Sequence, residues 1–325
     1  MEDQRLKIHI KTPARLQLGL IDLNGELGRI FGGLGVGINQ PNIILEAEHS
    51  SRFTVDGEKP ELTQALAKRF FEAYHVQANV NLRVIQTIPE HSGLGSGTQM
   101  ALAVATALAK LSNVESPTPE LAVAMGRCQR TSVGTTIFEQ GGFVVDGGKP
   151  LKNGAAAPTF PPLIFRQPFP EDWRFVVAVP DADKGLANDE EKTAFKRLPP
   201  MPPETVGKVC RLTMMKLLPA LAEHDISSFG EALTNIQNTV GDYFAQVQGG
   251  RYASAATAET IQFMQNLGAY GVGQSSWGPA CYGLFPEEAA EQAKLKVQAF
   301  LNGGVGGKVF TAKANNKGAY IKLTR

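Results

Sequence analysis

One stretch constrains this sequence more than any other: Pro89-Glu90-His91-Ser92-Gly93-Leu94-Gly95-Ser96-Gly97-Thr98-Gln99-Met100-Ala101. Before it, residues 80–88 alternate, with Val80, Leu82 and Val84 on one face and Asn81 and Arg83 on the other, which reads as a strand. After it, residues 96–111 form an Ala-rich run that is apolar on nearly every side, which reads as a buried helix. Glycines between a strand and a helix let backbone N–H groups converge with no Cβ in the way. The helix start adds unpaired amides and the positive end of the dipole. Together these predict a site for a phosphate or pyrophosphate, to which Ser92, Ser96 and Thr98 add hydroxyls. The pattern is neither a Walker loop nor a dinucleotide fingerprint, since no Lys-Ser/Thr follows.

The charge balance requires such a site to be local. Lys and Arg number 32 and Asp and Glu 31, a formal net charge of +1. That argues against nucleic acid or an anionic membrane as partner, since both select a basic excess. The most apolar stretch, residues 100–111, is broken by Thr106 and Lys110 and falls far short of the ~20 residues of a membrane span. With no apolar leader at the N-terminus, the expectation is a cytoplasmic protein. Cys128, Cys210 and Cys281 are widely spaced without a CxxC pair, and read as packed thiols.

A length of 325 residues suggests two domains. Residues 6–20 read as strand, with Pro13 marking an edge or bulge, and residues 32–37 as a Gly-rich turn. Residues 62–74 and 117–130 read as helices and 142–146 as a short strand. Residues 147–172 carry Pro150, Pro158, Pro161, Pro162, Pro168 and Pro170 and read as the connection, giving an N-terminal domain at 1–172 and a C-terminal one at 173–325. In the second, 174–179, 280–285 and 308–312 read as strands, and 204–223, 227–246, 253–267 and 286–301 as helices. Strands come in pairs rather than alternating with helices, so the class is α+β.

Pro89-x-x-x-Gly93-Leu94-Gly95-Ser96 resembles the second motif of the GHMP kinases, Pro-x-x-x-Gly-Leu-Gly-Ser-Ser-Ala, a loop that holds the triphosphate of ATP. The resemblance implies a two-domain GHMP-kinase-like fold: a ribosomal-protein-like N-terminal domain and a ferredoxin-like α/β-sandwich C-terminal domain. Gly97 stands where that motif has a second Ser, commonly a metal contact, and Thr98 where it has Ala. The segment from Arg130 to Glu139 lacks the Asp base of many such kinases. With residues 11–25, 27–35, 138–148 and 271–279, these departures resemble the β-ribofuranosylaminobenzene 5′-phosphate synthase family, over nearly the whole chain. Gln274-Ser275-Ser276-Trp277-Gly278-Pro279 is the most specific block.

That resemblance implies condensation of p-aminobenzoate with phosphoribosyl pyrophosphate. The products are an aryl C-riboside 5′-phosphate, CO₂ and pyrophosphate, on the route to tetrahydromethanopterin. Mg²⁺ is expected and ATP is not a substrate. An ATP-dependent small-molecule kinase is the alternative, opposed by Gly97 and the missing Asp. Gly93, Leu94, Gly95, Ser96, Gly97 and Thr98 are expected to hold pyrophosphate. Asp22 and Glu139 are the candidate carboxylates, for Mg²⁺ or for charge at the anomeric carbon, with surface positions as their alternative. Arg15 and Arg29 suit bidentate contact to phosphate or carboxylate, and Lys184 the 5′-phosphate. Gln274, Ser275 and Ser276 are expected to line the site, with Trp277 either stacked on the aryl ring or buried as a structural residue. The histidines share no metal spacing, though His91 lies in the loop and can donate to phosphate. The apolar face of residues 212–221 suits a homodimer contact or core packing equally.

Overall fold

Proline has no N–H for a ladder, and the N-terminal stretch accordingly folds as two strands, β1 (Lys7–Lys11) and β2 (Ala14–Asp22), parted at Thr12-Pro13. The computed structural model describes residues 6–182 and 188–324, with the backbone alone of Asn188, Asp189 and Lys192. β3 (Arg29–Ile38) pairs antiparallel with β2 and contains the glycines read above as a turn. The difference has a packing cause. A Cβ on Gly33 or Gly35 would stand 2.7 or 2.4 Å from the side chain of Val133, so these glycines let a helix lie directly on the strand.

β4 (Ile44–His49), β5 (Thr54–Gly57), α1 (Pro60–Tyr74) and β6 (Val80–Gln86) lead to the glycine loop and α2 (Ser96–Leu111). Twelve of the sixteen residues of α2 are buried, so the helix is core rather than surface. α3 (Thr118–Ala124) is shorter than expected, because Gly126 at φ 69° turns the chain out of the helix. α4 (Val133–Gln140), the helix seated on β3, is followed by β7 (Phe143–Asp146), β8 (Lys149–Lys152), β9 (Ala155–Ala156) and β10 (Leu163–Gln167).

The second layer opens with β11 (Trp173–Pro180) and α5 (Asn188–Arg197), then α6 (Pro203–Leu212), a π-helical turn at Thr213–Leu217 and α7 (Leu218–Glu223). α8 (Ile226–Gln248), α9 (Ala255–Asn266), β12 (Gly271–Gln274), β13 (Cys281–Pro286), α10 (Glu287–Asn302), β14 (Gly307–Lys313) and β15 (Tyr320–Thr324) complete it. Among the described residues the sheets run β15-β1-β4-β6-β5, β10-β7-β3-β8-β9 with β2 on β3, and β12-β13-β11-β14. The last strand therefore leaves the C-terminal layer and pairs with β1, from Lys7 opposite Thr324 to Lys11 opposite Tyr320.

Asp146, at the end of β7, is fully buried. Its Oδ2 accepts from the Ser132 amide at 2.7 Å, and Oδ1 from the amides of Gly148 at 2.9 Å and Gly33 at 3.2 Å. Burial pushes its carboxyl up to about 6, against the pull of these backbone donors and of Val133. The carboxylate thus ties the start of α4 to β3 and the turn after β7. Asp146→Ala leaves three buried donors without an acceptor and is expected to cost on the order of 3–5 kcal/mol, read as a lower urea midpoint.

Candidate active site

The glycine loop is held by its own backbone shape. Gly93 and Gly95 sit at φ 85° and 82°, in the left-handed region. The Gly93 carbonyl accepts from Arg15 Nη1 at 3.0 Å and from Ser275 Oγ at 2.7 Å. Ser275 Oγ in turn accepts from the Gln17 amide at 2.9 Å, so one buried hydroxyl pins β2, the loop and the turn after β12 together. From α8, Gln237 Nε2 donates to Leu18 O at 2.6 Å while its Oε1 accepts from Gln274 N at 2.9 Å. Gly95 caps α2 without a side-chain hydrogen bond, which leaves the helix start suited to an anion.

Beside the loop opens a cleft of about 820 Å³. Arg15, Arg127, Arg130, Lys196 and Arg251 line it, and among its described lining residues Glu191 is the one carboxylate. Burial pulls the Arg15 guanidinium down to about 10, with Glu191 opposing and Arg127 adding to the fall. Arg15 Nε is buried with no hydrogen-bond partner among the described residues. A buried guanidinium N–H in that position calls for an anion. Arg127 Nε donates to Thr98 Oγ1 at 3.2 Å, and its guanidinium lies 3.6 Å from where a Cβ on Gly97 would stand. Arg127 therefore covers the two positions at which the loop departs from the kinase pattern, and burial lowers its pKa too.

One wall of the cleft is aromatic. Trp277 and Phe244 rings lie 4.9 Å apart, Phe195 lies 5.6 and 5.7 Å from these two, and Phe31 lies 6.0 Å from Phe195. The Arg130 guanidinium sits 4.0 Å above the Phe195 ring. Glu191 Oε1 accepts from Arg130 Nη1 at 2.8 Å and from Trp277 Nε1 at 2.9 Å.

Arg15, Thr98, Gln274, Ser276 and Trp277 thus meet in one cleft, and Gly93, Leu94, Gly95, Ser96 and Gly97 form the loop beside it. Leu94 is buried and its carbonyl accepts from the Arg15 amide at 3.0 Å. Ser275 is a buried pin rather than a lining residue. Trp277 is only 9 % exposed and packs on Phe244, so it is both structural and cleft-facing.

Asp22, Glu139 and Arg29 do not line the cleft. Asp22 Oδ1 closes its own turn by accepting from Asn24 N at 2.7 Å and Gly25 N at 3.0 Å. Glu139 is exposed at the end of α4 and accepts from Gln140 Nε2. Arg29 donates to the carbonyls of Gly147 and Gly148, fastening β3 to the turn after β7. Lys184 lies outside the described residues. Asp22 and Glu139 therefore do not fit as a magnesium-holding pair, and the described residues contain no cluster of three or more His, Cys, Asp or Glu suited to a metal. Arg127, Arg130, Glu191, Phe195 and Arg251 escaped the sequence reading. The one signal was Gly126, a helix stop that frees the following Arg-x-x-Arg from the helix.

The GHMP kinases N terminal domain matches residues 61–142, and the GHMP kinases C terminal domain matches residues 217–303. The fold is that of solved GHMP kinases. Homoserine kinase from Cytophaga hutchinsonii superimposes with a TM-score of 0.69 at 16% identity, covering 97% of each chain. A mevalonate kinase gives 0.67 at 13% identity, over 95% of this chain and 99% of that one. Sequence relatives are more specific. β-Ribofuranosylphenol 5′-phosphate synthase of Methanothermobacter thermautotrophicus is 32% identical over 97% of this chain and 99% of its own. That of Archaeoglobus fulgidus is 34% identical over 97% and 100%. The chain belongs to the β-ribofuranosylphenol 5′-phosphate synthase family. β-Ribofuranosylphenol 5′-phosphate synthases carry a phenol in their name where the sequence resemblance implied an arylamine. Among the described residues, no helix is long and apolar enough to cross a membrane.

Proposed function

We propose that this chain transfers the phosphoribosyl group of phosphoribosyl pyrophosphate to the carboxyl-bearing ring carbon of a benzoate with a para hydroxyl or amino group, p-aminobenzoate included. CO₂ and pyrophosphate leave, and the product is an aryl C-riboside 5′-phosphate, a step toward tetrahydromethanopterin. One observation carries the reading: a single cleft joins an anion cradle, Arg15 and Arg127 at the glycine loop, to an aromatic wall of Phe195, Phe244 and Trp277. As pyrophosphate departs, the loop amides and the two arginines stabilise its growing charge. The aromatic wall holds the ring against the ribosyl carbon. Gln17 Oε1, buried without a hydrogen-bond partner among the described residues, suits a ribosyl hydroxyl.

Magnesium, with no carboxylate pair among the described cleft residues to hold it, is proposed to enter on the substrate's own phosphates, as is common for this ion. A cytoplasmic homodimer completes the proposal, with sedimentation velocity as its check. The test of the reaction is incubation with phosphoribosyl pyrophosphate, Mg²⁺ and either 4-hydroxybenzoate or 4-aminobenzoate, following CO₂ and pyrophosphate. Release of both, dependent on both substrates and indifferent to ATP, is the expected result. ATP consumption on addition of an alcohol, without CO₂, would establish a kinase instead.

A further inference from the structure

Both substrates of the proposed reaction bring negative charge into the cleft, and five cationic side chains are there to meet it. Glu191 is out of keeping with that set. A carboxylate among bound anions is repelled by them, unless it faces a group that donates a hydrogen bond. The substrates offer few donors: the ribosyl hydroxyls and the para group of the ring. Position decides between them. Glu191 and Phe195 stand four residues apart on α5, on one helix face, and Phe195 belongs to the aromatic wall. Trp277, in the same wall, donates its indole N–H to Glu191. The carboxylate is thus fixed against the aromatic wall, where the ring is proposed to lie. Both of its hydrogen bonds to Arg130 and Trp277 fall on Oε1, while a carboxylate accepts about four, and the side chain is 28% exposed.

We infer that Glu191 accepts the proton of the ring's para hydroxyl, and so is a catalytic residue that favours hydroxyl-bearing over amino-bearing acceptors. The inference rests on the aryl-transfer reading. As the carboxyl-bearing ring carbon bonds to the ribosyl C1, pyrophosphate leaves with the electron pair of the broken C–O bond. The O–H electrons move into the ring, the para oxygen becomes a dienone carbonyl, and the proton passes to Glu191. The C–CO₂ bond then breaks, its electron pair restores the aromatic ring, and the oxygen takes the proton back. Nothing is oxidised or reduced. An amino acceptor carries the same charge as an iminium without shedding a proton, so it gains little from the base.

Glu191→Gln keeps the size and an oxygen acceptor for Arg130 and Trp277 but removes the base. With 4-hydroxybenzoate, kcat is expected to fall about 100-fold or more, and with 4-aminobenzoate by less than about 10-fold. A more acidic phenol, 3,5-difluoro-4-hydroxybenzoate, is expected to recover much of the loss. An equal loss with both acceptors, no loss with either, or a loss cancelled by more Mg²⁺ would overturn the inference, the last by making Glu191 a metal carrier. A second measurement does not need turnover. The ultraviolet band of bound 4-hydroxybenzoate is expected to shift toward that of the phenolate in the wild type and not in the variant; identical bands overturn the inference. A wild type that releases no CO₂ from either acceptor, yet shows that spectral difference, refutes the transferase reading and leaves Glu191 as a phenol-binding base.

Discussion

Arg15→Met is expected to lower kcat/KM for phosphoribosyl pyrophosphate by about 10²–10³-fold while the protein stays folded, the usual loss when one preorganised donor to a developing anion is removed. Among the described cleft cations, Arg15 has the one buried guanidinium nitrogen without a hydrogen-bond partner, and we propose that this nitrogen serves the ligand. Methionine preserves the unbranched stem beneath Gly95, where the Arg15 Cβ lies 3.4 Å from the position a Gly95 Cβ would take. The Gly93 carbonyl keeps its second donor, Ser275 Oγ. Steady-state rates at low substrate, read beside a thermal melt, separate the two effects. A melt that collapses while the folded fraction keeps its activity would show that Arg15 is a strut and not a ligand.

Gly93→Ala is the largest expected loss of stability. The added Cβ would stand 2.1 Å from the Ser275 carbonyl oxygen, at a φ of 85°. Neither atom sits on a side chain able to swing away, so the loop or the turn after β12 must move, at roughly 4 kcal/mol or more. Gly28→Ala is the control. It has nearly the same φ, 79°, but no atom within 4 Å of its Cβ position, so left-handed strain alone costs about 1 kcal/mol. Urea unfolding of both variants distinguishes them. Equal midpoints would mean that the contact with Ser275 is relieved by a small shift and does not hold the loop.

What the sequence made readable was local. The strand–loop–helix unit around Gly93 has its signals side by side, and α2 begins and ends where its apolar run does. The glycines of β3 misled because their reason lies about a hundred residues on, in Val133. Asp22 misled in a different way. Asp-x-Asn-Gly is itself a turn signature, with the carboxylate bonding to amides two and three residues ahead, and that local use accounts for it. The cations of the cleft were hidden because no segment contains the set. Arg15 comes from β2, Arg127 and Arg130 from the stretch after α3, and Arg251 from the turn after α8. Glu191 stands in the acidic run Asp189-Glu190-Glu191, whose partners Arg130 and Trp277 come from distant segments.

The pairing of β15 with β1 sets an order of events during synthesis. The residues of β1 wait for a partner made about three hundred residues later, since Lys7 meets Thr324. Until Tyr320–Thr324 emerges, β1 has one neighbour, β4, and an open edge able to pair with another nascent chain. The amino-terminal half is therefore not a module that finishes early and is left behind. A protease cut between the halves leaves them clasped by five paired residues, and separating them demands melting that sheet edge.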